Sequence, residues 1–172
     1  LSKKLLFENA DFESGLRNWR TTGNVWTSWT RKDLGIQGGY AMGGTRLDND
    51  IALGTGVLTS TEFVISGDRI EFLIAGYDAD EGGDRTTRHT GRNRVELVEA
   101  GSSHVVRVAE EPASYNFVPT GWDVGALVGR RVFIRAIDEN PTYWGWLAVD
   151  DFCYVRRIDP NWISRNNGSA AQ

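Results

Sequence analysis

YWGWLAVDDFCY, residues 143–154, decides the fold of this chain. Three bulky rings precede a run of strand-forming residues, and Asp150 and Asp151 lie inside that run. Side chains alternate between the two faces of a strand, so the even-numbered residues from 146 to 154 are predicted on one face and the odd-numbered residues from 147 to 155 on the other. Both faces are largely apolar, which indicates a strand covered on both sides, as in a β-sandwich. Each face also carries one aspartate, and a buried carboxylate has to be hydrogen-bonded, ion-paired or bound to a metal.

The segments around this stretch predict further strands of similar length. Runs of β-forming residues predict strands at residues 57–65, 69–77, 94–99, 103–109 and 130–138. Residues 110–121, with Pro112 and Pro119, are predicted to form an irregular connection. No amphipathic helical pattern accompanies the strands. The expected fold is all-β, an antiparallel β-sandwich of the jelly-roll, galactose-binding-like type with about ten strands.

Length, charge and cysteine content narrow the class of protein. The 172 residues predict one β-sandwich domain at 1–158 and a C-terminal linker or tail at 159–172. The net charge is −4 and no basic stripe occurs, which argues against a nucleic-acid partner. No apolar run reaches the ~20 residues of a membrane helix, and the single cysteine, Cys153, excludes an internal disulfide. Because the chain starts at Leu1 without a methionine or a signal-like segment, we expect it to be tethered to other domains in a longer protein.

The seven tryptophans cannot all be exposed, so they have to be divided between core and surface. Trp19 and Trp122 are predicted to be core residues. Trp26 and Trp29 are three residues apart in a predicted strand, a spacing that places their rings on opposite faces. Trp144, where a loop enters the strand, is the ring that we expect to be exposed.

Two polar segments carry candidate ligand groups. Asn9, Asp11 and Glu13 place oxygen donors in one turn, which suits a hard cation such as calcium and equally a solvated acidic turn. Residues 78–93 (DADEGGDRTTRHTGRN) form the longest polar loop between two predicted strands. Long loops on a rigid scaffold often carry function, but a solvated hairpin tip has the same composition.

Three segments resemble one family of β-sandwich domains. Residues 9–19 (NADFESGLRNW) resemble the N-x-x-F-E-x-G…W opening of galactose-binding-like jelly rolls, which include many carbohydrate-binding modules. Residues 56–77 (GVLTSTEFVISGDRIEFLIAGY), and residues 120–138 (TGWDVGALVGRRVFIRAID) followed by 144–152 (WGWLAVDDF), resemble the modules appended to fructan-acting glycoside hydrolases and related secreted bacterial proteins. The resemblance spans residues 5–156 and is most specific in its closing motif. It implies a non-catalytic sugar-binding module outside the cell or at the cell surface.

The same resemblance implies a structural calcium ion that ties the first and last strands together. The implied ligands are main-chain carbonyls from the glycine-rich residues 35–56 and the carboxylates of Glu13, Asp150, Asp11 and Asp151. Two departures fall where the family meets its ligand. The loop at 78–93 is long and charged where the fructan-associated relatives have a short glycine-rich loop, and Trp146 replaces a residue that is usually polar. The resemblance therefore does not extend to fructan as the ligand.

Sugar binding needs an aromatic surface against the apolar face of the sugar ring and planar polar groups for its hydroxyls. The aromatic candidates are Trp144, Trp146 and Tyr143, and the polar candidates in the neighbouring loop are Asp78, Asp80, Glu81, Arg85 and Arg88. The expected partner is a polysaccharide or oligosaccharide, and the expected state is a monomer. For each ring, packing in the core is an equally good interpretation of the sequence.

Two other classes of function stay open at this level. A glycan-active enzyme needs a pair of carboxylates in a cleft, and the acids are scattered so evenly that the sequence singles out no pair. His89 and His104 are not accompanied by a nucleophile motif such as G-x-S-x-G. An adhesion or assembly domain that binds protein or a cell surface is compatible with the same composition.

Overall fold

The computed structural model describes residues 3–23, 25–30, 38–43, 54–79, 90–142 and 144–155. Within these ranges the chain forms twelve β-strands and a short 3₁₀ helix, Gly125–Leu127. The strands in chain order are β1 Lys3–Leu5, β2 Trp19–Gly23, β3 Thr27–Thr30, β4 Gly39–Gly43, β5 Gly56–Ser60, β6 Phe63–Val64, β7 Arg69–Asp78, β8 Asn93–Glu99, β9 Val105–Glu110, β10 Ser114–Asp123, β11 Arg131–Asp138 and β12 Gly145–Val155. No helix in the described ranges is long and apolar enough to cross a membrane. The predicted tail at 159–172 lies outside the described residues.

The strands form two antiparallel sheets. Sheet A has the order β10-β7-β12-β4-β3, and β1 also pairs with β12. Sheet B has the order β2-β5-β11-β8-β9, and β6 also pairs with β11. The predicted antiparallel β-sandwich is therefore confirmed. The strand predicted in residues 143–154 is β12, and it lies in the middle of sheet A between β7 and β4.

The main core lies between the two sheets. Every second residue of β7 enters it, and Phe72 on this strand is only 2% exposed. Leu97 on β8 and Ile134 on β11 meet it from sheet B, both fully buried. Trp19 and Trp122 belong to this core, as predicted, with 7% and 6% of their surface exposed. Full burial of a large apolar side chain contributes about 1.5–3 kcal/mol, so this layer is the main source of stability.

A β-bulge on β12 overturns the strict alternation predicted for this strand. The pairing of β12 with β7 shifts by one residue between Asp150 and Cys153. Asp151 has a φ of 57°, and the shift reverses the faces of the residues that follow. Phe152 therefore enters the main core, whereas strict alternation places it on the face of Trp146.

The irregular connection predicted for residues 110–121 is wrong, because β10 Ser114–Asp123 occupies most of it. Pro119 has no N–H group to donate to a ladder, which argued against a strand. β10 is at the edge of sheet A and pairs with β7 alone among the described strands, so one side of its backbone needs no partner. The edge position explains why the proline is tolerated.

The N-terminal turn that leads into β2 is built around Asn9. Its Nδ2 donates to the carbonyls of Gly15 (3.1 Å) and Arg17 (2.7 Å), and its Oδ1 accepts from the N–H of Ser14 (2.7 Å). Its carbonyl accepts a hydrogen bond from the indole of Trp19 at 3.0 Å. The side chain of Asn9, predicted as one oxygen donor of a cation cluster, therefore serves to close the turn.

Candidate functional site

The outer face of sheet A, on the side away from sheet B, is apolar and rich in aromatic residues. On β7, Tyr77 points to this outer face, whereas Phe72 points into the main core. On β12, Trp146 points to the outer face and Leu147 points into the main core. We call this surface the aromatic face. Its residues are Trp29, Tyr40, Met42, Ala75, Tyr77, Tyr115, Phe117, Trp144, Trp146 and Ala148.

Tyr115, on the edge strand β10, contacts the largest rings of the aromatic face. Its ring centroid lies 5.3 Å from that of Tyr77, 5.8 Å from that of Trp144 and 5.9 Å from that of Trp146. The contacts with Tyr77 and Trp144 are edge-on, with interplanar angles of 72° and 87°. Such pairs contribute about 0.5–1.5 kcal/mol beyond the burial of area, so they hold the rings in fixed orientations.

The rings of the aromatic face differ sharply in exposure. Tyr115 is 56% exposed, whereas Tyr77 and Trp146 are 5% and 6% exposed. Trp144 and Phe117 are half-buried. The buried rings therefore form a support, and Tyr115 and Trp144 present ring surface to a ligand. A ring held in this way offers a flat apolar contact to a sugar ring or to an apolar side chain.

Trp26 and Trp29 lie on opposite sides of sheet A, as their spacing predicts. Trp26 is 5% exposed and belongs to the main core. Trp29 is half-buried and packs against the aromatic face. Its indole N–H donates to Thr27 Oγ1 at 2.6 Å, which fixes the ring on β3.

A buried carboxylate anchors the turn that carries Trp144. Asp78, 1% exposed, accepts four hydrogen bonds: from Thr90 Oγ1 (2.6 Å), Thr90 N (3.0 Å), Arg92 N (3.0 Å) and Asn140 Nδ2 (2.8 Å). The turn itself closes with a hydrogen bond of 3.0 Å from Gly145 N to the carbonyl of Thr142, and Ala79 N, directly after β7, donates to the carbonyl of Trp144 at 3.2 Å. The network joins the end of β7 to the segments before β8 and after β11, so it positions one edge of the aromatic face. The sugar contact expected of Asp78 stays a prediction.

Asp138 lies in the same network and carries a displaced pKa. It is fully buried, its Oδ1 accepts from Asn140 N at 3.2 Å, and its Oδ2 has no hydrogen bond within the described ranges. Burial raises the pKa of Asp138 to about 8, and the nearby charge of Asp78 acts in the same direction. The hydrogen bond from Asn140 acts against this shift but does not cancel it. The folded protein therefore holds this carboxyl group protonated at neutral pH.

Replacing Asp138 with asparagine is expected to change how stability depends on pH. In the unfolded chain this aspartic acid has a pKa near 3.8. Between about pH 4 and pH 8 the folded state therefore binds one more proton than the unfolded state. Because of this extra proton, the wild type loses stability as the pH rises through this range. The asparagine amide does not titrate, so the stability of Asp138→Asn relative to wild type should rise across this range, by a few kcal/mol at most, and level off above about pH 8. Urea unfolding at intervals from pH 4 to pH 9 measures the difference. A difference that does not depend on pH would contradict the raised pKa.

The acidic residues near the two chain ends approach the start of β4. Glu13 Oε1 accepts a hydrogen bond of 2.9 Å from Gly39 N, and a Cβ atom at Gly38 (φ 113°) would collide with the same carboxylate. Val149 of β12 pairs with Ala41 of β4, and Asp150, which is 7% exposed, is the next residue of β12. The Glu13 carboxylate and the backbone next to Asp150 therefore lie beside the same strand, although the two residues come from opposite ends of the chain.

The other two predicted calcium ligands make local contacts. Asp11 Oδ1 lies 3.4 Å from the N–H of Glu13, inside the N-terminal turn. Asp151, at the bulge, forms an ion pair of 3.1 Å with Lys3, and this carboxylate raises the pKa of Lys3. Within the described ranges, no three His, Cys, Asp or Glu side chains are grouped so as to hold a metal. The donor set fits calcium only if main-chain carbonyls supply most of the ligands.

The structure brings some of the predicted ligand residues together and leaves others undescribed. Trp144 and Trp146 both lie on the aromatic face, the first half-buried and the second 6% exposed. Tyr143, Asp80, Glu81, Arg85 and Arg88 lie outside the described residues. Sequence reasoning missed Tyr115 and Phe117, because Pro119 favoured an irregular connection over a strand in this segment. Their spacing of two residues in SYNF is the signal that places both rings on one face.

Comparison with known proteins gives one curated relative and a set of structural neighbours, while no family model matches the chain. The Aspergillus rugulosus protein ecdE, provisionally named a glycosyl hydrolase, is 28% identical over 169 residues, which cover 93% of this chain. The chain spans 22% of the length of that relative.

Two solved structures illustrate the likeness in fold. The K1 cleaved adhesin domain of Lys-gingipain from Porphyromonas gingivalis W83 aligns with a TM-score of 0.55 at 12% identity, covering 86% of this chain and 96% of its own. TmCBM61, solved in complex with beta-1,4-galactotriose, aligns with a TM-score of 0.54 at 15% identity, covering 90% of this chain and 99% of its own. The chain therefore has the β-sandwich fold of these carbohydrate-binding and adhesin domains.

Proposed function

We propose that this domain is a non-catalytic carbohydrate-binding module that binds a polysaccharide or oligosaccharide on the aromatic face. The observation that carries the proposal is the placement of Tyr115, 56% exposed, in contact with Tyr77, Trp144 and Trp146. A contiguous apolar patch on a protein surface often marks an interaction site, and here buried rings hold the exposed ring of Tyr115 in place. The similarity in fold to TmCBM61 agrees with this role.

The arrangement suits a sugar chain that lies along the sheet. Tyr115 and Trp144 give neighbouring ring surfaces at one side of the face, and the Tyr40–Phe117 pair, 5.4 Å between centroids, continues the apolar surface. Apolar C–H faces of successive sugar units can pack on such surfaces while hydroxyl groups remain in water. The residues that define the aromatic face are aromatic or apolar and supply no carboxylate for hydrolysis, so the proposed role is binding.

The domain is proposed to act outside the cell or at the cell surface, as one monomeric part of a longer protein. Support comes from the relative ecdE, of which the chain covers 22%, and from the fold that it shares with an adhesin domain. Adhesion to a protein or a cell surface is the alternative, because an aromatic face also suits apolar side chains.

Titration with soluble oligosaccharides, beta-1,4-galactotriose among them, tests the proposal through tryptophan fluorescence and calorimetry. Tyr115→Ala is expected to weaken binding by about tenfold or more, because truncating an aromatic residue that anchors a binding interface costs about 2 kcal/mol or more. Tyr115→Phe, which keeps the ring, should bind nearly as well as wild type. Val108→Ala removes an exposed apolar side chain of the opposite sheet and serves as the matched control.

Three results would contradict this proposal. One is the absence of binding to every glycan in a broad panel, and another is full affinity in Tyr115→Ala. The third is release of reducing sugar by the domain alone, which would show an enzyme. Binding to a protein partner with no glycan response would favour the adhesion alternative.

We further propose that a structural calcium ion joins Glu13 and Asp150 to main-chain carbonyls at the start of β4. The support is the hydrogen bond between Glu13 and the start of β4, the position of Asp150 next to a residue that pairs with the same strand, and the burial of Asp150. When bound, the ion would neutralise these charges and fasten the N-terminal turn to β4 and β12. Asp11 and Asp151 are further candidate ligands at the same edge.

Removal of calcium is expected to lower the melting temperature of the wild type by several degrees, since an ion bound only by the folded state stabilises it. Thermal unfolding in a chelator, with and without added calcium, measures the change, and magnesium serves as a control ion. In Glu13→Gln the response to calcium should be strongly reduced. An identical melting temperature with chelator and with excess calcium would exclude this site.

A further inference from the structure

A cleft of about 590 Å³ opens on sheet B, away from the aromatic face. Its lining comes from the start of β2, the β5–β6 connection and one residue of β11: Asn18, Trp19, Arg20, Ser60, Thr61, Glu62 and Phe133. The volume falls within the range of about 300–1,000 Å³ that is common for small-molecule sites. None of these residues belongs to the proposed glycan surface.

The cleft follows from a break in the pairing of β11. β5 pairs with β11 up to Arg135, and β6 pairs with it again at Val132, so on this side of β11 no strand pairs with the two residues in between. On the other side β8 pairs with both of them. Ser60 Oγ accepts a hydrogen bond of 2.8 Å from the N–H of Ile134, in place of the main-chain carbonyl that a paired strand would supply. Thr61 and Glu62 connect β5 to β6 across this break, and Phe133 is left half-buried in the gap. The gap is therefore a fixed feature of the sheet.

The charged groups of the cleft are available to a ligand. Arg20 and Glu62 are both exposed, and neither side chain forms an ion pair or hydrogen bond with any residue in the described ranges. The neighbouring cation on the same face is engaged, because Arg135 Nη2 lies 2.7 Å from Glu96 Oε1. Among the residues that line the cleft, Arg20 thus offers a cation and Glu62 an anion that are not paired with any described residue.

We propose that this cleft is a second binding site, which takes a hexuronic acid residue. A guanidinium group binds a carboxylate through two parallel hydrogen bonds, which assigns the acid group to Arg20. A carboxylate accepts hydrogen bonds from a pair of sugar hydroxyls, which assigns these to Glu62. The half-buried ring of Phe133 receives the apolar face of the sugar ring. Phosphate or sulfate alone fits poorly, because Glu62 repels an anion that brings no hydroxyl donors.

This second site is independent of the proposed function, because it uses the other sheet and none of the residues of the aromatic face. Nuclear magnetic resonance spectra of the whole chain, titrated with methyl β-D-glucuronide, provide the test. The backbone amides of Asn18, Arg20, Glu62 and Phe133 are expected to shift together, and to shift equally in Tyr115→Ala, which lacks the exposed ring of the aromatic face. Methyl β-D-glucoside, the same sugar without the charge, should bind at least about tenfold more weakly, since it leaves Arg20 without an acceptor.

Variants separate this site from general attraction of an anion. Arg20→Gln should weaken glucuronide binding by about tenfold or more, as expected for the loss of a charge-assisted pair of hydrogen bonds. Lys4→Gln removes the same charge from an exposed position on sheet A and should leave the affinity unchanged. Phe133→Leu, which keeps an apolar side chain, should weaken both sugars equally.

Three outcomes overturn the second site. They are no shift at the cleft amides up to millimolar glucuronide, equal binding of glucoside and glucuronide, and unchanged affinity in Arg20→Gln. Loss of binding to the same extent in Lys4→Gln would identify the attraction as non-specific and would also overturn it. Any of these outcomes would overturn the second site without changing the expected result of the oligosaccharide titrations with Tyr115 variants. The two proposals are therefore tested independently.

Discussion

Replacing Phe152 with alanine is expected to lower the free energy of unfolding by about 3–5 kcal/mol, the usual cost of a large-to-small change in a packed core. The ring is fully buried and stacks on Phe72 with 4.7 Å between centroids and an interplanar angle of 22°. It also contacts Trp19 at 5.7 Å and Phe12 at 6.5 Å. Alanine leaves a cavity among three other rings that cannot all move into it. Guanidinium unfolding followed by tryptophan fluorescence measures the loss.

The matched control for this change is Phe117→Ala. Phe117 is half-buried on the aromatic face and contacts Tyr40, so its loss should cost clearly less. The comparison tests the β-bulge at Asp151, because only the bulge places Phe152 in the main core. If Phe152→Ala destabilised the protein no more than Phe117→Ala, the register of β12 after Asp150 would have to be wrong.

Replacing Asp78 with alanine is expected to destabilise the protein by about 3 kcal/mol or more, since buried donors that lose a charged acceptor each cost about 1–3 kcal/mol. The carboxylate accepts four hydrogen bonds, two from Thr90 and one each from Arg92 and Asn140. Asp78→Asn should be nearly as damaging. Its amide has one oxygen, so the two backbone N–H groups that now meet Oδ2 would face another donor.

Two measurements distinguish this anchor from an ordinary surface acid. Chemical unfolding gives the loss of stability, and hydrogen exchange should show that the amides of Thr90 and Arg92 lose protection first. Asp68→Asn, at an exposed turn, is the matched control and should change neither quantity. Binding of oligosaccharide should also weaken in Asp78→Asn, because the turn that carries Trp144 is no longer held. Protection and stability equal to wild type would show that the four hydrogen bonds do not anchor this end of the sandwich.

The core of the fold was predictable because hydrophobic alternation is a local property. Ile70, Phe72 and Ile74 repeat every second residue, and the structure places all three in the main core. The edge strand β10 was not predictable in the same way. Pro119 excludes a central strand, but whether a segment lies at an edge depends on what pairs beside it, and that is set by the arrangement of both sheets.

The candidate site was predictable only in part, for a related reason. Trp146 lies in β12 and Trp144 directly precedes this strand, so the presence of both rings at one site follows from their closeness in the sequence. Tyr115 is distant from both in the chain, and only the pairing of β10 and β12 with opposite sides of β7 brings its ring into contact with theirs. The same pairing decides which rings act as support and which one is exposed.

The sequence by itself determined the all-strand class, the sandwich, the core positions of Trp19 and Trp122, and the placement of Trp26 and Trp29 on opposite faces, since these depend on the pattern of neighbouring side chains. Which of Trp26 and Trp29 enters the core was decided by the tertiary structure. Only the tertiary structure decided the faces of β12 after Asp150, because one extra residue in a ladder can be recognised only against its partner strand. It also decided that Asp78 lies beneath the surface, because burial depends on segments that are distant in the chain. Long-range pairing therefore joined the predicted rings of Trp144 and Trp146 with rings from other strands into one aromatic face.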